Sequence, residues 1–294
     1  MATTEDPADI ILFQDFTTAH TYLNKRKDKS IKTAIISHST EDLFHQLGLS
    51  YPEFVGGIYE DIIRKKQAYV LENIDKIIFV SKQPVDFFKK KYGEKVEFVY
   101  NGLEDIEVQN TARQVNKDEP FKLICVGSIC ERKGQDILIE SVKLLDESSR
   151  KKFKFYIVGE GDLKGELIKR INNYGLSDNF EFLGLRNDVS SLLKEMDCYV
   201  LPSRNEGLPI AIIEALREGL YIIASNVGGI PELLSSDYSE LIRPEPEDLK
   251  VALQNVISGK IDFNQNSKIA REVFLKNFSL DSMINKYCTI LRSL

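Results

Sequence analysis

The residues with the most chemistry to offer lie at positions 197–219, DCYVLPSRNEGLPIAIIEALREG. A short apolar strand at 198–201 runs into a polar loop at 202–207, and an amphipathic helix opens at Leu208-Pro209. Proline suits the first helical turn, where its missing N–H costs no bond. Two carboxylates stand on this unit, Glu206 at the loop's end and Glu214 inside the helix. Glu206 falls just ahead of the helix N-terminus, where unpaired N–H groups and the macrodipole favour negative charge. Glu214 interrupts the apolar run from Ala211 to Leu216, a setting in which an unpaired carboxylate is expensive. A ligand rich in hydroxyls would pair it. Each glutamate has a plain structural use as well: Glu206 can complement the helix dipole, and Glu214 can bind a backbone N–H or an arginine. Both on one strand–loop–helix unit, with Gly207 letting a ligand approach the backbone, favour a binding role.

Three further stretches join strand ends to helix starts. Residues 126–134, VGSICERKG, place Arg132 and Lys133 after a turn that contains Ser128. Cations at a helix start oppose the dipole, so they serve better as phosphate ligands than as helix stabilisers; solvated loop residues are the alternative. Residues 158–162, VGEGD, hold Gly159 in a strand-to-helix turn, a weak signal because any tight turn favours glycine. Residues 226–232, NVGGIPE, offer backbone amides to a phosphate or sugar, or form a plain turn. His38 is the only histidine where a strand's carboxyl end meets a loop, whereas His20 and His45 fall within helices. A lone histidine has many structural uses, and Ser39 and Thr40 beside it suit a helix cap.

The elements that must position these residues alternate strand and helix. In the first half, strands are expected at 9–14, 33–37, 76–80 and 96–100, with helices near 17–27 and 52–73 and another opening at Pro84. A polar stretch at 107–120 reads as a linker. In the second half, strands are expected at 123–126, 153–158, 180–183, 198–201, 221–224 and 240–242. Helices are expected at 134–145, 163–173 and 189–194, and the pattern after Pro246 is all helical, with Ser279 capping the last helix. Short continuous apolar strands between amphipathic helices predict parallel sheets covered on both faces. The fold class is therefore α/β, two Rossmann-like doubly wound domains whose ligands bind at strand carboxyl ends.

Composition bounds the rest. A chain of 294 residues is comfortable for two α/β domains, and 43% hydrophobic residues is ordinary for a globular protein. A net charge of −6 argues against a nucleic-acid binder. The start MATTEDPADIILF is acidic where a signal peptide is basic, and no apolar run is long enough to span a bilayer. Four cysteines show no metal-ligand spacing, so a reducing cytoplasm is the expected compartment. Basic clusters at 25–32, 64–66 and 89–91 suit contact with an anionic membrane from the cytoplasmic side, or simply solvated helix faces.

The order VGSICERKG, IVGEGD, FLG, MDCYVLPSRNEGLPIAIIEAL and NVGGIPELL resembles the C-terminal domain of the retaining glycosyltransferases of family 4, two-domain GT-B enzymes that use nucleotide sugars. The likeness covers essentially the second half; SHST, KIIFVSK and VYNG in the first half are more loosely similar, and the helix beginning FSLDS resembles the segment that crosses back to the N-terminal domain. The resemblance implies an acceptor-side domain at 1–112, a nucleotide-sugar-binding domain at 113–278 and a crossing helix at 279–294. It implies a UDP-linked hexose donor, transfer with retention, and a polysaccharide, glycolipid or protein-glycan acceptor.

Carried onto this sequence, the resemblance has Glu206 accepting from donor-sugar hydroxyls near the amides of Gly207 and Leu208, with Pro209 opening the helix. Glu214 takes the ribose hydroxyls, Lys133 and Arg132 meet the diphosphate, and Gly159 and Ser128 line the donor site. His38 lies beside the transferring sugar, so His38, Lys133 and Glu206 are the catalytic candidates. No cofactor or metal is implied, because cations and helix N-termini meet the diphosphate charge. Two departures are visible: many family members carry Arg at the position of Ser128, and the first half is short, with no Gly-rich loop after its first strand. The second expectation is therefore a nucleotide-sugar-binding subunit that needs a partner chain, with an uncovered sheet edge near 9–14 open to pairing with it. A GT-B epimerase or phosphorylase is disfavoured by the Glu206/Glu214 spacing and the lack of a pyridoxal-phosphate lysine motif.

Overall fold

The computed structural model describes residues 9–38, 56–106 and 119–294. The chain divides into two compact units, Met1–Asn101 with Met283–Leu294, and Gly102–Ser282. The sequence-based division at 112/113 and all but the end of the expected linker lie outside the described residues.

The first unit holds β1 (Ile10–Phe13), α1 (Phe16–Lys25), β2 (Lys32–Ser37), α2 (Ile58–Asn73), β3 (Lys76–Phe79), α3 (Val85–Tyr92) and β4 (Val96–Phe98). Asp15 caps α1, its carboxylate accepting from the Thr18 amide at 2.8 Å. The expected helix start at 52 lies outside the described residues, and α2 is observed from Ile58. The four strands pair in parallel in the order β1-β2-β3-β4, with Ile35 opposite both Phe13 and Ile77. Right-handed crossovers between consecutive neighbours put every connecting helix on the same face of the sheet. That face is the core of Phe13, Leu23, Ile35, Val70, Ile77 and Phe88. The opposite face presents Ala34, Ile36, Ile78, Val80 and Val99, and among the described residues no connecting helix packs on it.

The second unit holds β5 (Phe121–Val126), α4 (Gln135–Lys143), α5 (Glu147–Arg150), β6 (Phe153–Val158), α6 (Lys164–Asn173), β7 (Phe180–Gly184), α7 (Val189–Lys194) and β8 (Cys198–Leu201). It continues with α8 (Ile210–Arg217), β9 (Tyr221–Ser225), α9 (Ile230–Leu233), β10 (Ser239–Ile242), α10 (Pro246–Ile257) and α11 (Phe263–Asn277). All strands are parallel in the order β10-β9-β8-β5-β6-β7. The order grows one way through β6 and β7 and the other way through β8, β9 and β10, so it reverses between β5 and β8. Diverging connections at such a point leave a crevice at the strands' carboxyl ends. The core beneath the sheet's helices is apolar, with Leu123, Leu138, Phe155, Ile157, Val200 and Ile223 all buried.

The last helix, α12 (Leu280–Leu291), is capped by Ser279, whose hydroxyl accepts from the Ser282 amide at 3.2 Å. Its apolar stripe, Met283, Tyr287, Ile290 and Leu291, covers the bare face of the first sheet. Burial there pushes the Tyr287 hydroxyl up to about 12. Within the second unit, Leu103 bridges Ser279 in parallel, and its amide donates to the Phe278 carbonyl at 2.9 Å. Among the described residues, no helix is long and apolar enough to cross a membrane.

Candidate functional site

The loops that leave β5 and β8, the two strands at the reversal, supply the principal charged groups. After Val126 the chain turns at Gly127 and enters a 3-10 turn at Glu131–Lys133, then passes through Gly134 into α4. Gly134 has φ of +68°, and a Cβ there would stand 2.0 Å from the Pro202 carbonyl oxygen, so only glycine lets the two loops touch. Gly228 does the same for the loop after β9, where a Cβ would stand 1.8 Å from the Glu206 carbonyl oxygen. Arg204 fastens the contact. Its amide donates to the Arg132 carbonyl at 2.8 Å, and its guanidinium reaches both oxygens of Asp136, at 2.8 and 2.6 Å. Burial alone would raise Asp136, but the bonded guanidinium holds it below its ordinary range.

This lacing brings Lys133, Arg132 and Glu206 together. Lys133 Nζ lies 2.8 Å from Glu206 Oε1, and Arg132 Nη1 lies 3.0 Å from Oε2. Ser203 Oγ donates to Oε1 at 2.8 Å. The Glu206 side chain is 5% exposed and that of Lys133 12%, whereas Arg132 is 48% exposed. Glu206 stands just ahead of the start of α8, and its carboxylate is held by two cations from the neighbouring loop and a hydroxyl from its own. Two cations against one carboxylate leave a surplus positive charge, one cation being open to solvent. Beneath it, burial pushes the Cys125 thiol up to about 12, with Lys133 pulling down and Glu206 pushing up. The buried Tyr199 hydroxyl donates to the Val126 carbonyl at 3.3 Å and is pushed well above its ordinary value by burial, then by the charges of Cys125, Glu206 and Glu214.

The profile of the family described as glycosyl transferases group 1 matches residues 108–273, more than half of the 294. The chain belongs to that family. An uncharacterized glycosyltransferase of Methanocaldococcus jannaschii is 30% identical over 199 residues, 65% of this chain and 52% of the relative. The UDP-Gal:alpha-D-GlcNAc-diphosphoundecaprenol alpha-1,3-galactosyltransferase of Escherichia coli is 29% identical over 231 residues, 74% of this chain and 57% of the relative. The crystal structure of Anabaena Alr3699/HepE in complex with UDP superposes with a TM-score of 0.80 at 18% identity, covering 97% of this chain and 79% of that one. That likeness gives the GT-B fold. The chain spans about half the length of the curated relatives it matches.

The other residues singled out from this family member's sequence are placed as follows. Glu214, on α8, is half-buried and has no side-chain hydrogen bond or ion pair among the described residues. Burial raises it above its ordinary carboxyl value; Arg217 lowers it and Glu218 adds to the rise. Pro209 is the N-cap of α8 rather than its first residue, with extended ψ of 114°, and its carbonyl accepts from the Ile212 amide at 3.1 Å. Gly207 accepts at its carbonyl from the Gly229 amide at 2.9 Å, and Leu208 is buried beside it. Gly159 is buried, its absent Cβ leaving room for the Gly127 carbonyl oxygen 2.0 Å away. Ser128 is exposed, and its carbonyl accepts from Gln135 Nε2 at 2.9 Å. His38 belongs to the first unit, where it is exposed at the end of β2 with Nε2 3.2 Å from Gln14 Oε1. Ser39 and Thr40 lie outside the described residues. Sequence reasoning missed Ser203, Arg204 and Asp136. Ser203 carries a local signal, a hydroxyl three residues before the glutamate it bonds. The Arg204–Asp136 pair carries none, because the partners sit on loops that only the strand order makes adjacent.

Proposed function

We propose that this chain is a retaining glycosyltransferase that moves a hexosyl unit from a UDP-linked sugar to a glycan or lipid-linked acceptor. The observation that carries the reading is the buried Lys133–Glu206 pair with half-exposed Arg132, held where the strand order of the second sheet reverses. The likeness to HepE, crystallised in complex with UDP, and to the E. coli relative, whose name gives a UDP-galactose donor and a lipid diphosphate acceptor, supports it. In this reading Lys133 and Arg132 take the diphosphate, so that charge growing on the β-phosphate as the anomeric C–O bond breaks meets fixed cations. Glu206 exchanges its cations for donor-sugar hydroxyls. Glu214, unpaired in its half-buried position, takes the ribose hydroxyls. The acceptor oxygen bonds to the anomeric carbon on the face the diphosphate leaves, and its proton passes to the departing phosphate oxygen. His38 serves the transferring sugar, with Gly159, Ser128 and the Gly207–Pro209 segment completing the donor contacts.

Titration with UDP followed by a panel of nucleotide sugars tests this. UDP is expected to raise the melting temperature, and one hexose donor to be consumed with an acceptor present. His38→Ala should lower kcat with UDP affinity unchanged. No stabilisation by UDP or any other nucleoside diphosphate would overturn the donor site; stabilisation without turnover of any donor would leave a binding subunit that requires a partner chain.

A further inference from the structure

Gln135 opens the buried face of α4, and the function proposed above gives it no role. Three- and four-residue steps put it on one stripe with Leu138, Ile139 and Val142, all of them buried. Gln135 is itself only 1% exposed. An aliphatic side chain would pack at such a position without a polar penalty. The glutamine carries one. Its Nε2 donates to the Ser128 carbonyl at 2.9 Å, while its Oε1 is buried with no hydrogen-bond partner among the described residues. A buried acceptor left unmet destabilises the folded chain. Nor is the bond needed to satisfy Ser128, which is exposed and has solvent at hand.

What the bond fixes is a direction. The Ser128–Ile129 peptide is planar, so holding it at both ends sets its plane. Gln135 holds the carbonyl, and the Ile129 amide donates to the Glu160 carbonyl at 2.9 Å. Ile129 is fully buried and its own carbonyl accepts from the Leu163 amide at 3.4 Å, so the loop after β6 grips this peptide from the far side. One peptide earlier, the Gly127 carbonyl lies against Gly159, where a Cβ would stand 2.0 Å from its oxygen. The N–H of a trans peptide points opposite to its carbonyl, so the Ser128 amide is turned away from Gly159. It has no hydrogen-bond partner among the described residues. Lys133 lies over the same turn, since a Cβ on Gly127 would stand 3.5 Å from Lys133 Nζ. A free N–H and a cation thus flank Gly127 beside the carboxyl end of β5.

We infer that Gln135 is a positioning residue for the proposed transfer: its amide fixes the turn after β5 so that the Ser128 N–H meets the donor diphosphate beside Lys133. The inference rests on the donor-site reading given above. Negative charge grows on the β-phosphate as the anomeric C–O bond breaks, and a backbone N–H already pointed at it needs no reorganisation. Gln135 itself touches no substrate. Its unmet Oε1 is a local stability cost of the kind that functional sites retain.

The test is Gln135→Met, which keeps the unbranched shape and removes both polar atoms. Its melting temperature should equal or exceed that of the wild-type chain, because the unmet oxygen goes with the lost bond. Hydrogen-exchange mass spectrometry without nucleotide should show faster exchange in peptides spanning 127–133. With a donor that the wild-type chain consumes, kcat should fall about tenfold, less than the ~10²–10³ for outright loss of such a donor group, since the amide is misdirected and not removed. UDP affinity should change less than about threefold, because Glu206 and Arg204 still hold the two cations and their turn. Should Gln135→Met fail to fold, Gln135→Leu carries the same question. An unchanged kcat overturns the inference whatever the melting temperature does, and so does unchanged exchange or a fall in UDP affinity as large as that in kcat. If the wild-type chain binds UDP without turnover, the protection that UDP gives to 127–133 decides: weaker protection in Gln135→Met supports the inference, and equal protection overturns it. A wild-type chain that binds no UDP overturns the donor site and this inference with it, whereas a wild-type chain that turns over beside an equally active Gln135→Met overturns the inference alone.

Discussion

Replacing Glu206 by Gln should push nucleotide affinity and turnover in opposite directions. Glu206 occupies both cations that the proposed diphosphate needs, Lys133 at 2.8 Å and Arg132 at 3.0 Å. UDP must therefore compete with a carboxylate that is 5% exposed and held by Ser203 as well. Glutamine keeps the volume and can still accept from Ser203, but it removes the negative charge, so the local balance rises from one surplus positive charge to two. A hydrogen bond to a charged group contributes about 1.5–3 kcal/mol net, and the competition returns only part of that. Glu206→Gln should thus tighten UDP by about 1–2 kcal/mol, roughly five- to thirty-fold. Transfer should fall by at least about a hundredfold, because the neutral amide is a poorer acceptor for sugar hydroxyls in the transition state. Isothermal titration with UDP and a single-turnover transfer assay read the two effects on the same preparation. If the variant binds UDP more weakly, Glu206 does not compete with the diphosphate and the charge argument fails.

Lys133→Ala leaves Glu206 with Arg132 and Ser203, so its stability loss should be about 1–2 kcal/mol rather than the ~3–5 of an orphaned buried charge, while UDP affinity falls about tenfold or more; denaturant melts and titration separate the two numbers. Gly228→Ala should lose at least about 2 kcal/mol and most UDP binding, since its Cβ would stand 1.8 Å from the Glu206 carbonyl oxygen at φ of +54°; a melting temperature within a degree of wild type would refute the loop contact. Burial raises Glu214 above its ordinary 4.5, so the folded state holds its proton to higher pH than the unfolded chain, and stability present below 4.5 is lost as pH rises through the folded value. Ribose hydroxyls bonded to the carboxylate would draw that value back down, so UDP binding just above pH 4.5 should release more protons from wild type than from Glu214→Gln, as calorimetry in buffers of different ionisation enthalpy would reveal. With its thiol pushed up to about 12, Cys125 should resist iodoacetamide at pH 8 until the second unit unfolds, measured by mass spectrometry across a denaturant series.

What the sequence disclosed and what it withheld divide along one physical line. Strand β8, the loop to Glu206 and helix α8 are legible because each is local: a four-residue apolar run, a polar turn with glycine, then apolar residues at helical spacing. The position of Pro209 shifted by one residue, since its extended ψ makes it the flank of the helix rather than its first turn. The apolar stripe of α12 is equally local, whereas the sheet face it covers depends on all the crossovers of the first unit lying on one side. Long-range partners have no such signature. Nothing between positions 133 and 206 announces that β5 and β8 are neighbours, and without that adjacency Lys133 and Glu206 are two unrelated charges.

The same line explains why the donor site can be both buried and ready for charge. A lone buried carboxylate would be held protonated or expelled to water, and a lone buried lysine likewise. Bringing the two loops together at the strand reversal lets each neutralise the other, with Arg204 and Asp136 fixing the approach of the loops. The arrangement stores no net charge in the dry interior and keeps the surplus on Arg132, which is 48% exposed and so remains hydrated. A diphosphate entering there meets the solvated cation first and the buried one second. The order of contact is thus set by exposure, and Arg132→Ala should slow UDP association more than it speeds dissociation, with Lys133→Ala doing the reverse. Stopped-flow traces in which both variants change only the dissociation rate would refute that order.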